Sequence, residues 1–67
     1  MDGYIRFYQV RFAMVNKQGV VVYSDIVLMG LESDSPTEAW ARVQARYGEE
    51  LARRYDAVLT IRDVKLV

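Results

Sequence analysis

The 67-residue sequence predicts a single α+β domain, residues 1–67, with the element order β-β-α-β. Three observations support this prediction. The first half alternates apolar and polar residues and is rich in β-branched and aromatic side chains. A strong helix-start signal then appears at Ser35-Pro36, and the last ten residues again favour a strand. We expect a three-stranded antiparallel sheet in the order 2-1-3, with one helix packed on one face.

The first two strands are predicted at about 4–15 and 20–29, joined by a tight hairpin. The connecting Asn16-Lys17-Gln18-Gly19 is typical of a type I turn closed by a left-handed glycine. This turn pairs Asn16 with Val20 and fixes a register. If that register continues, Arg11 lies opposite Asp25, and opposite charges directly across a ladder are favourable.

The same register divides the side chains between the two faces of the sheet. The face expected to contact the helix carries Tyr4, Arg6, Tyr8, Val10, Phe12, Met14, Val20, Val22, Ser24, Ile26 and Leu28. The open face carries Ile5, Phe7, Gln9, Arg11, Ala13, Val15, Val21, Tyr23, Asp25, Val27 and Met29. This second face has a polar centre but is more apolar than a solvated sheet face needs to be.

The helix is predicted from Pro36 to about Tyr55. Ser35 is the expected N-cap, Pro36 suits the first helical position, and Glu38 completes a capping box. Apolar residues at helical spacing define the stripe expected to face the sheet: Ala39, Trp40, Val43, Tyr47, Leu51 and Tyr55. Three acid-first pairs stand four residues apart: Glu38–Arg42, Glu49–Arg53 and Glu50–Arg54. Gly48 is the point at which the helix is expected to kink or divide.

The third strand is predicted at about 58–67. Its apolar phase changes between Ile61 and Val64, which indicates either a bulge near Arg62-Asp63 or burial on both faces. A 20-residue helix is about 30 Å long, so it returns the chain along the whole sheet. The third strand then runs antiparallel to the first and fits beside it.

Composition excludes several kinds of chemistry. Lys plus Arg equals Asp plus Glu, so the formal net charge is zero, and the chain contains no Cys and no His. Disulfides, thiol nucleophiles, imidazole catalysis and the usual zinc sites are therefore ruled out. The glycines are scattered singly and form no phosphate-binding loop. We expect no enzyme activity, no catalytic residues, no metal, no cofactor and no small-molecule substrate.

The sequence also favours a cytoplasmic protein that does not interact with membranes. No basic region followed by an apolar run opens the chain, and the apolar run Ile26–Met29 is too short to cross a bilayer. Seven of the nine basic residues are Arg, which is typical of GC-rich genomes and suits a bacterial or phage origin.

The main functional prediction is a non-enzymatic protein–protein interaction module. A core of this size supplies only about 3–5 kcal/mol, so self-association is an expected reinforcement. The predicted interface on the open face comprises Ile5, Phe7, Arg11, Val21, Tyr23, Asp25, Val27 and Met29. The second strand, an edge without Pro or Lys, offers another route to a homodimer or to a partner. Such a protein would act as a small adaptor or inhibitor.

The alternative prediction is a nucleic-acid-binding accessory protein. It depends on the arginines of the helix, namely Arg42, Arg46, Arg53 and Arg54. Arginine side chains neutralise phosphates, but a chain without net charge has no long-range field to attract nucleic acid. The protein-interaction prediction is therefore preferred.

Overall fold

A computed structural model describes residues 4–67. In chain order they form β1 (Arg6–Asn16), β2 (Val21–Leu31), α1 (Pro36–Tyr55) and β3 (Ala57–Leu66). Both sheet pairings are antiparallel and the strand order is β2-β1-β3. The helix packs on one face of this sheet. The predicted fold class, element order and strand order are confirmed.

The hairpin turn forms as the sequence predicts. Asn16 pairs with Val20, and the Asn16 side-chain Oδ1 accepts hydrogen bonds from the backbone N–H groups of Gln18 at 3.0 Å and Val20 at 2.9 Å. Gly19 has φ of +79°, a left-handed conformation that glycine adopts without steric cost. This turn brings β1 and β2 together with Val15 opposite Val21.

The predicted register is wrong beyond that first strand pair. The next pair joins Met14 to Tyr23, so Val22 is an extra residue that bulges out of β2. A bulge of one residue shifts every later pair and reverses the faces of the bulged strand. Tyr23 is thereby turned toward the helix, where its ring stacks on Tyr55 with a centroid distance of 5.1 Å.

The reversal changes which residues of β2 face the helix and pack against the core. Its helix-facing residues are Tyr23, Asp25, Val27, Met29 and Leu31, whereas Ser24, Ile26, Leu28 and Gly30 lie on the open face. The predicted Arg11–Asp25 pair does not form, because Arg11 lies opposite Ile26. Leu31, predicted to lie in the loop, is the last residue of β2 and is buried.

Of the two alternatives for the third strand, a bulge or burial on both faces, the structure has the bulge. Phe12 of β1 lies opposite Ile61, and the preceding Arg11 lies opposite Asp63, so Arg62 is unpaired between them. The extra residue explains the change of apolar phase along β3. Because of it, both Ile61 and Val64 reach the helix-facing side and pack against the core.

The core lies between β1 and the helix. Its buried hydrophobic members are Tyr8, Val10, Phe12, Met14, Leu31, Ala39, Val43, Leu51 and Leu59. Among the described residues no polar or charged side chain is buried. The Tyr8 hydroxyl leaves the core to donate a 2.7 Å hydrogen bond to the backbone carbonyl of Ser33.

The helix has the predicted bounds but differs in three details. Trp40, predicted to lie in the core stripe, is 43% exposed, because the smaller Ala39 makes the close approach to the sheet at this end. Gly48 does not interrupt the helix, which is continuous from Pro36 to Tyr55. The expected capping box is absent, since Glu38 bonds Arg42 instead of the N-cap backbone.

The chain leaves the helix through a left-handed residue. Asp56 has φ of +52° and its backbone N–H donates to the carbonyl of Ala52, which ends the helix and directs the chain into β3. The Glu38–Arg42 and Glu50–Arg54 pairs form at 3.3 and 3.2 Å. No Glu49–Arg53 pair is found among residues 4–67.

Candidate functional site

The sheet face opposite the helix is the first candidate surface. On this face, no element of the described part of the chain covers the sheet. Its exposed apolar residues in the first half of the chain are Ile5 before β1, Phe7 of β1, and Val21, Ile26 and Leu28 of β2. Exposed Val58 of β3 and Val67 extend the face along its third strand. We call this surface the open face.

Four of these residues form an apolar patch in the half of the open face farther from the hairpin, where Gln9 lies opposite Leu28 and Arg11 opposite Ile26. Ile5 and Phe7 lie on the β1 side and Ile26 and Leu28 on the β2 side, each 49–63% exposed. Gly30 lies opposite Phe7, and a Cβ atom built on it would be only 3.0 Å from side-chain atoms of both Ile5 and Phe7. The missing side chain of Gly30 therefore lets these two residues lie flat across the strand and widens the patch.

The centre of the open face is polar and slightly concave. Ala13, flanked by Ser24 on β2 and Thr60 on β3, forms a row of small residues across the three strands. The surrounding depression has a volume of about 610 Å³, and the charged residues that line it are Arg11, Asp25 and Arg62. The depression is shallow and open to solvent.

The structure divides the predicted interface residues between two surfaces. Ile5, Phe7, Arg11 and Val21 lie on the open face. The remaining four, Tyr23, Asp25, Val27 and Met29, lie on the helix-facing side of β2. The bulge at Val22 is the physical reason for this correction.

Ile26 and Leu28 belong to the open face but were missed by sequence reasoning. Two signals were available. Val20-Val21-Val22 interrupts the apolar–polar alternation next to the turn, where bulges are common. Leu31 also continues the two-residue spacing of Tyr23, Val27 and Met29, so extending the strand to Leu31 favours the phase that the structure has.

A groove between β2 and α1 is the second candidate surface. It has a volume of about 640 Å³. Residues Val27 to Leu31 of β2 form one wall, and Arg42, Ala45, Arg46 and Tyr47 form the other. The groove exists because the helix makes its most extensive contacts with β3 and its least extensive with β2. We call it the β2–α1 groove.

The four helix arginines predicted for nucleic-acid binding do not form one surface. Arg42 and Arg46 line the β2–α1 groove, whereas Arg53 lines a separate depression beside Lys17 and the start of β3. Arg42 and Arg54 are each bonded to a glutamate one turn earlier. The guanidinium of Arg46 lies over the Tyr47 ring, 5.6 Å from its centroid.

Aromatic rings fill the space between the hairpin half of β2 and the helix. The ring of Phe12 stacks on that of Tyr47, with 6.1 Å between the ring centroids, and its centroid lies 6.3 Å from that of Tyr23. The Tyr23 hydroxyl donates a 3.0 Å hydrogen bond to Asp25 Oδ2. This bond, together with partial desolvation and the negative charge of Asp25, raises the pKa of Tyr23 above its ordinary value. Asp25 therefore serves as a local acceptor and not as a cross-strand partner.

A small polar cluster closes the other end of the helix-facing side. Arg6 Nε forms an ion pair with Asp34, and its terminal nitrogen donates a 3.2 Å hydrogen bond to the Tyr4 hydroxyl. The hydrogen bonds to Tyr4 and Asp34 raise the pKa of Arg6. The cluster ties the loop before the helix to the beginning of β1.

Residues 4–67 have neither a metal-binding cluster nor a membrane-spanning helix. They contain no group of three or more acidic residues that could hold a metal ion. They also contain no helix that is both long and apolar enough to span a membrane. The prediction about the start of the chain concerns residues 1–3 in part, which lie outside the described residues.

Comparisons of this chain with protein-family models, with curated proteins and with solved structures return no significant match.

Proposed function

We propose that this protein is a non-enzymatic protein-interaction module that forms a homodimer through the open face of its sheet. The observation that carries the proposal is the patch of four large, exposed apolar side chains on one half of that face, namely Ile5, Phe7, Ile26 and Leu28. Single exposed apolar residues are ordinary, but a patch of large side chains is typical of an association surface.

The size of the open face suits a second copy of the chain. A strand of 11 residues is about 36 Å long, and three strands spaced about 4.8 Å apart make a sheet about 14 Å wide. Two such faces in contact bury about 1,000 Å² together, which is the lower bound for a stable biological interface. A small dimer with modest affinity is the expected result.

The arrangement of charges supports pairing between identical copies. Arg11 and Asp63 lie opposite each other in the β1–β3 ladder, so each copy presents both signs at the centre of the face. A two-fold interface must be complementary to itself, and this requires both signs on one copy. Apolar ends flanking a polar centre also give the interface a defined orientation.

The edge of β2 is less suited to joining two copies. Val22 bulges from the strand, and the N–H of Ile26 is bonded to Asp25 Oδ1 at 2.8 Å. Bulges and side-chain caps of this kind interrupt the continuous pairing that two identical edges need. The nucleic-acid alternative stays a prediction, and the separation of Arg53 from Arg42 and Arg46 gives it no further support.

A homodimer of this kind would leave both helices facing outward. Those helices would then be free to dock on a larger bacterial or phage assembly, so that the protein acts in the cytoplasm as an adaptor or an inhibitor. This part of the proposal depends on size and composition alone.

The test is the molar mass in solution, measured by light scattering over a dilution series from millimolar to low micromolar. We expect twice the 7.8 kDa chain mass at the concentrated end and dissociation on dilution. Phe7→Glu and Ile26→Glu each place a charge in the patch and should give a monomer with an unchanged circular dichroism spectrum. Leu66→Glu is the matched control, because Leu66 is equally exposed but lies on the helix-facing side.

Two results would contradict the proposal. One is a monomer at every concentration up to about 1 mM, since a weaker self-affinity than this contributes less than about 4 kcal/mol. The other is a dimer that survives both patch substitutions.

A further inference from the structure

The outer edge of β2 presents backbone groups beside the β2–α1 groove. The N–H of Ile26 bonds its neighbour Asp25, so it points away from β1. Peptide groups in an antiparallel strand alternate, and those of Leu28 and Gly30 therefore point the same way. An independent contact agrees with this: Phe7, opposite Gly30, directs its carbonyl to Val67 at 2.8 Å on the other side of β1.

No other strand pairs with this edge among residues 4–67. Leu28 and Gly30 thus offer two N–H and two C=O groups in the pattern that an additional antiparallel strand requires. The Asp25 side chain accepts the edge N–H of Ile26, so the unpaired N–H groups of the edge begin at Leu28. Extended peptides bind exposed edges by completing such a ladder, and adjacent pockets then select their alternate side chains.

The β2–α1 groove lies where those alternate side chains would go. Arg42 and Arg46 are four residues apart on the helix wall, a rise of about 6 Å. Side chains on the same face of a strand are two residues apart, a spacing of about 6.6 Å. Two acidic side chains at positions i and i+2 of an added strand therefore match the two arginines.

The charges of the groove favour acidic side chains. None of the residues that line it is acidic. Arg46 forms no ion pair within residues 4–67, and its guanidinium rests on Tyr47. Arg42 bonds Glu38 at 3.3 Å, but this pair is exposed, so exchanging one carboxylate for another costs little.

We propose that β2 and the β2–α1 groove bind an extended segment of another protein as a fourth strand, and that acidic residues at alternate positions of this segment contact Arg42 and Arg46. A second copy of β2 is a poorer occupant, because Asp25 is the only acidic residue in that strand. This surface lies on the helix-facing side, so the proposal does not depend on dimerisation through the open face.

The probe is a fluorescent eight-residue peptide with Glu at alternate positions and Thr or Val between them. Binding is measured by fluorescence anisotropy. A scrambled peptide with adjacent glutamates has the same charge but the wrong spacing, and an N-methylated peptide keeps the side chains but cannot complete the ladder. We expect each change to weaken binding about tenfold, because the first moves the carboxylates away from the two arginines and the second removes hydrogen bonds of the added ladder.

Protein variants locate the site. Arg46→Gln should weaken binding about tenfold, because it removes a charge-assisted contact. Arg62→Gln removes an exposed arginine from the open face and is the matched control, with no expected effect. Amide hydrogen exchange at Leu28 and Gly30 should slow when the peptide binds. Monomeric Phe7→Glu should bind the peptide normally, which separates this proposal from the previous one.

Three outcomes would overturn the proposal. The first is equal binding of the designed and scrambled peptides, which would show attraction to charge alone. The second is equal binding of the N-methylated peptide, which would exclude strand addition. The third is loss of the homodimer on adding the peptide, which would show that a second copy occupies the β2 edge.

Discussion

β1 and β2 are alike in length and apolar content but very different in burial. Each has 11 residues, of which seven are apolar in β1 and eight in β2. β1 nevertheless has five buried residues, Tyr8, Val10, Phe12, Ala13 and Met14, whereas β2 has only Leu31. The more apolar strand is therefore the more exposed one.

Position in the sheet explains this difference. β1 is paired on both sides and its helix-facing residues lie beneath α1, while β2 is an edge strand that the helix contacts least. Apolar residues that the fold does not bury remain available for association. β1 therefore supplies most of the buried side chains of the sheet, and β2 contributes to both candidate binding surfaces.

The largest expected effect comes from replacing a buried side chain of β1 with alanine. Phe12→Ala removes a fully buried ring that contacts both Tyr23 and Tyr47, at a cost of about 3–5 kcal/mol. A domain of this size has a total stability of about 3–5 kcal/mol, so the variant should be largely unfolded. Circular dichroism and urea denaturation would measure the loss.

The matched change in β2 should have little effect on folding. Ile26→Ala removes an apolar side chain that is 54% exposed, and it should cost less than about 1 kcal/mol. The free energy of unfolding should be measured at low protein concentration, where association does not contribute to stability. Equal losses for Phe12→Ala and Ile26→Ala would contradict the division of roles between the two strands.

A smaller effect of opposite sign is expected in the helix. Gly48 has helical geometry, and a Cβ atom there would meet only Gln44 side-chain atoms at 3.9–4.0 Å, which is ordinary contact. Gly48→Ala should therefore stabilise the protein by about 0.5–1 kcal/mol and raise Tm by about 2–8 °C. A lower Tm would show that the glycine is needed. The stabilised variant is also the better background for measuring substitutions in β1.

The smallest expected effect concerns the pH dependence of stability and involves Tyr23 and Asp25 of β2. The neutral Tyr23 hydroxyl donates to Asp25, which raises its folded-state pKa, so the phenol ionises first in the unfolded chain, at about pH 10. Its contribution to stability is complete below that pH and disappears as pH rises through the folded-state pKa.

Tyr23→Phe should accordingly reduce the loss of stability between pH 9 and 11, measured as Tm against pH, and it should have little pH-dependent effect near neutrality. Tyr47→Phe serves as the control, because the Tyr47 ring packs on Phe12 and its hydroxyl bonds no carboxylate within residues 4–67. Identical alkaline profiles for the wild type and Tyr23→Phe would show that the Tyr23–Asp25 bond does not persist in solution.

Local sequence determined which elements form, the hairpin turn and the two ends of the helix. Asn16 and Gly19 specify the turn, and Ser35 and Pro36 start the helix. The change of apolar phase around Arg62 indicates the bulge in β3. Each of these features depends on interactions within a few residues. Helix length and strand alternation were sufficient for the order β2-β1-β3.

Tertiary packing decided which residues of those elements face the core. The bulge at Val22 turns Tyr23, Val27 and Met29 toward the helix, where Tyr23 stacks on Tyr55 and the other two pack against the core. Likewise, the close approach of Ala39 to the sheet leaves Trp40 exposed. A bulge of one residue or a small rotation of a helix changes little in the local pattern. Its effect on burial depends on contacts between residues that are distant in the chain, and that is why only the tertiary structure decided the composition of the open face.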